Sequence, residues 1–238
     1  MDNVSTLFLL PCSLGEDVTF TIPSYITTIA NTLDVFFVEN ERSARRYLRA
    51  IGYTKSFDEV QLFLLDKHSK NTFIKTALQD LLMHRKNAGV LSEAGLPCIA
   101  DPGNEVVKMA HQLNMKVDPL VGPSSIILAL IASGMNGQSF TFHGYLPVDA
   151  DPQKKKLKEI ELLAIKTGYT QLFMETPYRN NKLIDTITQC CSPELLLSVA
   201  CDITLPTQYI CTQSIAQWKK EKIDIHKRPA IFSINRNQ

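Results

Sequence analysis

Glycine is scarce in this chain, ten residues in 238, and the motifs that depend on it are missing. No GxGxxG follows the first apolar run and no GxxxxGK[ST] occurs anywhere, so neither a Rossmann dinucleotide site nor a P-loop has a basis in the sequence. GxSxG is absent as well, and with it the nucleophile elbow of a serine hydrolase. His68, His84, His111, His143 and His226 are scattered and form no HExxH, which leaves a catalytic metal without support. The six cysteines form no CxxC pair and show no zinc spacing, so they read as reduced thiols of a cytoplasmic protein. Charge of one sign is lacking too: 25 basic against 24 acidic side chains give a net +1, and any nucleic-acid contact must come from a local patch. The longest strongly apolar stretch, 126–132, is far too short to span a bilayer. The acidic opening Met1-Asp2-Asn3 lacks the basic region of a secretory signal.

With 45% hydrophobic and 21% charged residues, the chain reads as one large globular domain or two small ones. The first half alternates strand-like runs (6–11, 35–40, 61–66, 88–92, 116–120) with helical periodicity over 22–33, 41–51, 72–85, 104–113 and 124–133. That alternation predicts an α/β fold built on a mainly parallel sheet with both faces covered. The pattern changes at Gly137-Gln138-Ser139, which reads as a linker between a domain over 1–137 and a mixed α/β domain over 138–238. In the second half, strand-like runs at 140–146, 171–175, 195–200, 209–214 and 229–234 accompany helices at 152–166 and 178–190. The later spacers are short and predict antiparallel pairing.

Three loops follow strands and are built from small residues. "SEAGLPCIADPG" (92–103) places two of the ten glycines and two prolines between a strand and a helix. Such a loop either makes a tight βα connection or lets a ligand approach the backbone beyond a strand's carboxyl end. "LVGPSSIILAL" (120–130) opens a helix with Ser124 or Ser125 at the cap, where free amides favour polar or anionic groups. "TLFLLPCSLGED" (6–17) sets Pro11, Ser13 and Gly15 after the first strand. Three loops of this kind at neighbouring strand ends can ring one pocket.

A different chemistry is written in "VENERSARRYLRAIG" (38–52), where Arg42, Arg45, Arg46 and Arg49 share one helix face. Such a face is either a solvated charge stripe or a holder of nucleic-acid phosphates. Glu39 and Glu41 flank it and can neutralise it. Lys154 to Lys156 with Lys158, in "QKKKLKE", offer a second basic patch. In "LFMETPYRNNKL" (172–183), Met174 is suited to packing on a flat heteroaromatic group. Beside it Glu175, Tyr178 and Arg179 form either a buried pair that positions the loop or a polar set for catalysis.

"SEAGLPCIADPG", "LVGPSSIILALIASG", "FTFHGYLP" and "LFMETPYRNNKL", in this order, resemble the tetrapyrrole methylase superfamily. They are most similar to its 16S rRNA 2′-O-ribose methyltransferase I branch, whose members carry a similar S-x-A-G-x-P-x-I-x-D-P-G loop. Within it the chain looks like a compact subgroup without the C-terminal extension. It departs where the branch has T-P-I-G-N, with Leu10-Pro11-Cys12-Ser13-Leu14-Gly15, and where the branch has E-D-T-R, with Glu39-Asn40-Glu41-Arg42. The resemblance implies two α/β domains, a cytoplasmic homodimer, no metal, and S-adenosylmethionine in a cleft between the domains. It implies cofactor contacts at Pro11, Ser92, Glu93, Ala94, Gly95, Leu96, Ile99, Ser124 and Ser125, and at Met174, Leu205 and Pro229. The implied activity is methyl transfer to RNA, the ribose 2′-O of ribosomal RNA. Transfer to a tetrapyrrole or another small molecule, and a non-catalytic cofactor-binding protein, are the alternatives. Glu39 as base with Arg42 on a phosphate, or Glu175 with Tyr178 and Arg179, are the candidate catalytic groups.

Overall fold

The computed structural model describes residues 5–65 and 71–236; residue 66 of the third expected strand and His68 lie outside them. The chain divides into two compact units, Met1–Ser124 and Ser125–Gln238.

The first unit carries β1 (Thr6–Leu10), α1 (Ser24–Ala30), β2 (Val35–Val38), α2 (Glu41–Ala50) and β3 (Gln61–Leu64). After them come α3 (Asn71–Met83), β4 (Ala88–Leu91), α4 (Asn104–Gln112) and β5 (Lys116–Pro119). The strands lie in the order β3-β2-β4-β1-β5, and every pairing is parallel. The runs VFFV and AGVL form β2 and β4, buried along their whole length, as strands covered on both faces must be. Alternation sorts their side chains. Phe36 and Val38 pack with Ile26 and Ala30 of α1 and Ala44 and Leu48 of α2. Val35 and Phe37 pack with Ile74 and Leu78 of α3 and Val106 and Ala110 of α4. Each large side chain so buried stabilises by about 1.5–3 kcal/mol. Neighbouring β1 and β4 therefore send their chains to opposite faces and in opposite directions along the sheet. Their carboxyl ends mark the topological switch point, where open α/β sheets form a crevice.

The second unit begins with α5 (Ser125–Ala132), β6 (Phe140–Tyr145), α6 (Ala150–Thr167), β7 (Thr170–Met174) and α7 (Asn180–Cys190). It continues with β8 (Leu196–Cys201), β9 (Tyr209–Ser214), α8 (Ile215–Trp218) and β10 (Ala230–Asn235). The order is β6-β7-β10-β8-β9. Strands β6 and β7 run parallel; β8–β9 and both pairings of β10 are antiparallel. The core joins Leu157 and Ile160 of α6, Leu183 and Ile187 of α7, and Trp218 to Phe173, Val199 and Phe232. Trp218 Nε1 donates to the Leu197 carbonyl at 2.8 Å.

Helix α5 buries Ile126, Ala129 and Leu130 and packs against β7, β8 and β10. The sequence reading groups this helix with residues 1–137, whereas its apolar face belongs to the second sheet and the division falls after Ser124. Residues 137–139 are fastened rather than loose. Asn136 Oδ1 accepts from the backbone of Gln138 at 2.9 Å and Ser139 at 3.3 Å, and its Nδ2 donates to the Gly168 carbonyl at 3.2 Å. Among the described residues no helix is long and apolar enough to cross a membrane, and all six cysteines are free.

Candidate active site

The loops after β1, β4 and β5 meet at the switch point. Cys12 and Gly95 form an isolated antiparallel bridge: Cys12 N donates to the Gly95 carbonyl at 2.7 Å, and Gly95 N to the Cys12 carbonyl at 3.0 Å. The buried Cys12 thiol donates to the Ser92 carbonyl at 3.1 Å, and burial pushes its pKa far up, so it acts as a strut. Gly95 has φ +71°, and a Cβ there would stand 3.3 Å from Leu14 and 3.5 Å from the Pro123 carbonyl. A Cβ on Gly122 would lie only 2.0 Å from Cβ of Pro11. The β1 loop thus touches both other loops; contact with Pro11 demands glycine at 122, and the positive φ favours it at 95. Cys98 and Ala100 hold φ of 71° and 64°, a strained conformation for non-glycine residues of the kind that gathers at functional sites.

Helix α2 braces this arrangement. Asn40 caps it, accepting from Arg42 N at 2.9 Å and Ser43 N at 3.2 Å. The Tyr47 hydroxyl donates to the Pro11 carbonyl at 2.5 Å, and Tyr25 Oη accepts from Val121 N at 2.8 Å.

Glu39 follows the last residue of β2, beside the same loops. Burial, then the negative charges of Asp101 and Glu93, push its carboxyl up to about 7, offset in part by the Glu93 backbone N–H. Its Oε1 is buried with no hydrogen-bond partner among the described residues. Burial and Glu93 raise Asp101 to about 6. A carboxyl near neutrality, with one oxygen unspent, has the character of a general base.

The four arginines do not act alike. Arg45 pairs with Glu41 at 3.2 Å and Arg46 with Glu16 at 2.9 Å. Arg49 donates to the Tyr53 carbonyl and to the Lys55 carbonyl at 2.7 Å, and lies 4.4 Å above the Phe57 ring. Arg42 is exposed and makes no ion pair among the described residues. In the lysine patch, Lys156 pairs with Glu159 at 3.4 Å and Lys158 with Glu161 at 2.7 Å.

In the second unit, β10 runs antiparallel to β7 and β8, so its start lies beside their ends. Met174, Leu205 and Pro229 come to that one end of the sheet. Asp202 N donates to the Pro229 carbonyl at 2.9 Å, and Leu205 N to the Asp202 carbonyl at 2.9 Å. Asp202 Oδ2 accepts from Arg228 Nε and Thr207 Oγ1, both at 2.7 Å. The Glu175 side chain is fully buried and pairs with Arg179 at 2.5 Å. It also accepts from Thr176 N at 2.6 Å and Gln153 Nε2 at 3.1 Å. Every contact of Glu175 positions the loop. Tyr178, 68% exposed, sets its ring edge-to-face with His226 at 5.9 Å.

Of the residues singled out from sequence, the structure gathers Pro11 and residues 92–96 at the switch point, with Glu39 beside Glu93. Ile99 is exposed further along the loop, and Ser124 and Ser125 stand where α5 begins. Cys12, Tyr47, Asp101 and Gln153 went unpredicted. Asp101 lies inside the motif already quoted, but the partners of the other three are 22 to 80 residues distant in sequence. Among the described residues, no group of three or more His, Cys, Asp or Glu can hold a metal ion.

Residues 28–218 match the family model of the Tetrapyrrole (Corrin/Porphyrin) Methylases. The chain belongs to this family. It is 31% identical over 175 residues to the Ribosomal RNA small subunit methyltransferase I of Vibrio cholerae, 73% of this chain and 56% of that protein. The namesake of Halalkalibacterium halodurans is 33% identical over 186 residues, 77% of this chain and 60% of that one. The chain thus spans under two thirds of the length of these relatives. Two solved structures share the fold. The methyltransferase CobJ has a TM-score of 0.62 at 15% identity, covering 98% of this chain and 94% of its own. Cobalt precorrin-4 methyltransferase CbiF has 0.59 at 12%, covering 97% and 94%. At such identities the likeness is one of fold alone.

Proposed function

We propose that this methylase-family chain uses S-adenosylmethionine to methylate RNA, at a ribose 2′-hydroxyl of ribosomal RNA. The observation that carries the reading is the 31–33% identity, over about three quarters of the chain, to proteins named as ribosomal RNA methyltransferases. The switch-point loops are consistent with a cofactor cradle: Gly122 leaves no room for a Cβ against Pro11, Gly95 holds a positive φ, and the two bring three small-residue loops together beyond the strand ends. Pro11, Ser92, Glu93, Ala94, Gly95, Leu96, Ile99, Ser124 and Ser125 are the proposed cofactor contacts of those loops, with Met174, Leu205 and Pro229 proposed at the strand ends of the second sheet. Bound there, S-adenosylmethionine supplies an electrophilic methyl group on a sulfonium sulfur.

The chain's own task is to align the acceptor and remove its proton. Glu39, held near neutrality by burial and Asp101, takes the proton of the ribose hydroxyl on its carboxylate as the new O–C bond forms. Arg42 holds a neighbouring phosphate. Glu175 and Arg179 fix the loop that carries Tyr178. The same reading expects a cytoplasmic homodimer, seen by sedimentation as twice the 26.7 kDa of one chain.

The test is transfer of labelled methyl from S-adenosylmethionine to small ribosomal subunits, followed by alkaline hydrolysis, which a 2′-O-methyl group blocks at its own linkage. We expect label in hydrolysis-resistant dinucleotides, and a loss of about 10²–10⁴-fold in Glu39→Gln with cofactor binding intact. Label elsewhere in the RNA, or none, refutes the acceptor assignment. Unchanged turnover in Glu39→Gln refutes the base.

A further inference from the structure

A cavity of about 250 Å³ lies within the first unit, between the β1 loop, α2 and the β4 loop. Four of its lining residues, Ser43, Arg46, Tyr47 and Ala50, are spaced i, i+3, i+4 and i+7 and present one face of α2. The β1 loop contributes residues 13–17 and Thr19, and Glu93 and Ala94, which are also proposed cofactor contacts and so mark where the cavity would border the cofactor, close the third side. Its volume is below the range of about 300–1,000 Å³ usual for drug-sized ligands, and suits one nucleobase with part of its sugar.

The lining excludes one kind of guest and favours another. Three carboxylates, Glu16, Asp17 and Glu93, face a single guanidinium, Arg46, already paired with Glu16 at 2.9 Å. That balance repels a phosphate. Leu14, Ala50 and the Tyr47 side chain supply apolar and flat surface, the kind on which an unstacked base rests. Carboxylates accept hydrogen bonds and donate none when ionised, so they match a base edge that carries an amino group. Ser43 Oγ stands 3.3 Å from Glu93 Oε1 and 3.1 Å from the Asn40 carbonyl, so its single proton is shared between the two and Glu93 lies against the α2 side of the cavity. Glu93 is also the residue whose charge and backbone N–H act on Glu39, so the cavity adjoins the proposed base.

We propose that this cavity receives the nucleobase of the RNA residue to be methylated, splayed out of the strand, and selects a base with an exocyclic amino group over uracil. This rests on RNA as the acceptor. A base seated between α2 and the β1 loop hands its own ribose to Glu39, which joins recognition of the base to the position of the hydroxyl. Arg46 then belongs to the base pocket, and Arg42 alone of its helix face remains for the backbone.

The experiment is titration of the full chain with cytidine, adenosine, guanosine and uridine, followed by NMR, on wild type and on Ala50→Trp. Ala50 is exposed at the last position of α2, so a Trp there fills the cavity without entering the core. We expect amino-bearing nucleosides to bind at least tenfold more tightly than uridine, with shifts at Tyr47 and Glu93, and Ala50→Trp to lose that binding while its spectrum stays folded. No saturable binding at the solubility limit, equal binding of uridine, or binding untouched by Ala50→Trp overturns the proposal. So does displacement of the nucleoside by S-adenosylhomocysteine, which would make the cavity part of the cofactor site. Nucleoside binding is read separately from methyl transfer: binding as expected in a protein that labels no RNA refutes the acceptor reading, not the pocket.

Discussion

Gly122→Ala isolates the packing that assembles the candidate site. Its new Cβ would lie 2.0 Å from Cβ and 2.4 Å from Cγ of Pro11, against the roughly 3.5–4.0 Å at which two carbon atoms rest. Pro11 cannot yield by changing rotamer: its ring is closed on the backbone, it is buried, and its carbonyl is held by Tyr47. One of the two loops must move, so the cost belongs at the upper end of the 1–3 kcal/mol range for overpacking, about 3 kcal/mol. The matched control is Gly137→Ala, where nothing lies within 4 Å of the added Cβ and φ is ordinary; we expect it within about 0.5 kcal/mol of wild type. Urea unfolding followed by circular dichroism measures both. The lone tryptophan, Trp218, lies in the second unit, so its emission reports that unit apart from the first. Calorimetric titration with S-adenosylmethionine on the same samples should show weaker binding in Gly122→Ala alone. A loss below about 1 kcal/mol together with unchanged affinity would refute the loop contact and its part in holding the cofactor.

Glu39 and Asp101 give a pH signature. Their folded pKa values, about 7 and about 6, exceed the ordinary carboxyl values of 4.5 and 3.8, so the native state binds protons more tightly than the unfolded one, and stability falls as pH rises between about 4 and 7. Glu39→Gln should flatten that fall in a series of urea melts, and Asp101→Asn should move the acidic limb of the methyl-transfer profile to lower pH by removing a like charge. Arg42→Ala should weaken RNA binding and reduce the slope of log K against log salt by about one unit; an undiminished slope would take Arg42 off the phosphate. Arg49→Ala should act on stability instead, since its guanidinium is spent on the Tyr53 and Lys55 carbonyls. Arg179→Met should cost about 3–5 kcal/mol by leaving the Glu175 carboxylate buried without its cation, and adding Glu175→Gln should recover most of that loss.

The two sheets were legible in different degrees. A parallel strand covered on both faces has to be an apolar run, so VFFV and AGVL announced β2 and β4, and the short helices between such runs could only be crossovers. The place of β10 between β7 and β8 was not legible, because spacing along the chain says which strands can pair with their sequence neighbours and nothing of a strand that inserts later. The same limit governed α5. Its periodicity was plain, but SIILALIA is apolar on nearly all sides, and a helix of that kind does not say which sheet it covers. At the site, the composition of the loops was informative because a backbone cradle needs small residues, and glycine is rare enough here for its positions to mean something. What holds those loops together was hidden, since the Cys12 thiol and the Tyr47 hydroxyl find main-chain carbonyls rather than side-chain partners, and main-chain acceptors leave no trace in sequence. The arginine face could be read from sequence only as two alternatives, a solvated stripe or a phosphate holder. Helical spacing placed four like charges side by side, but Glu41, Glu16 and the 53–55 carbonyls had taken three of them. Arg42, three residues after Glu39 in the chain, makes no ion pair among the described residues, and for that reason the proposed phosphate contact is assigned to it rather than to its neighbours.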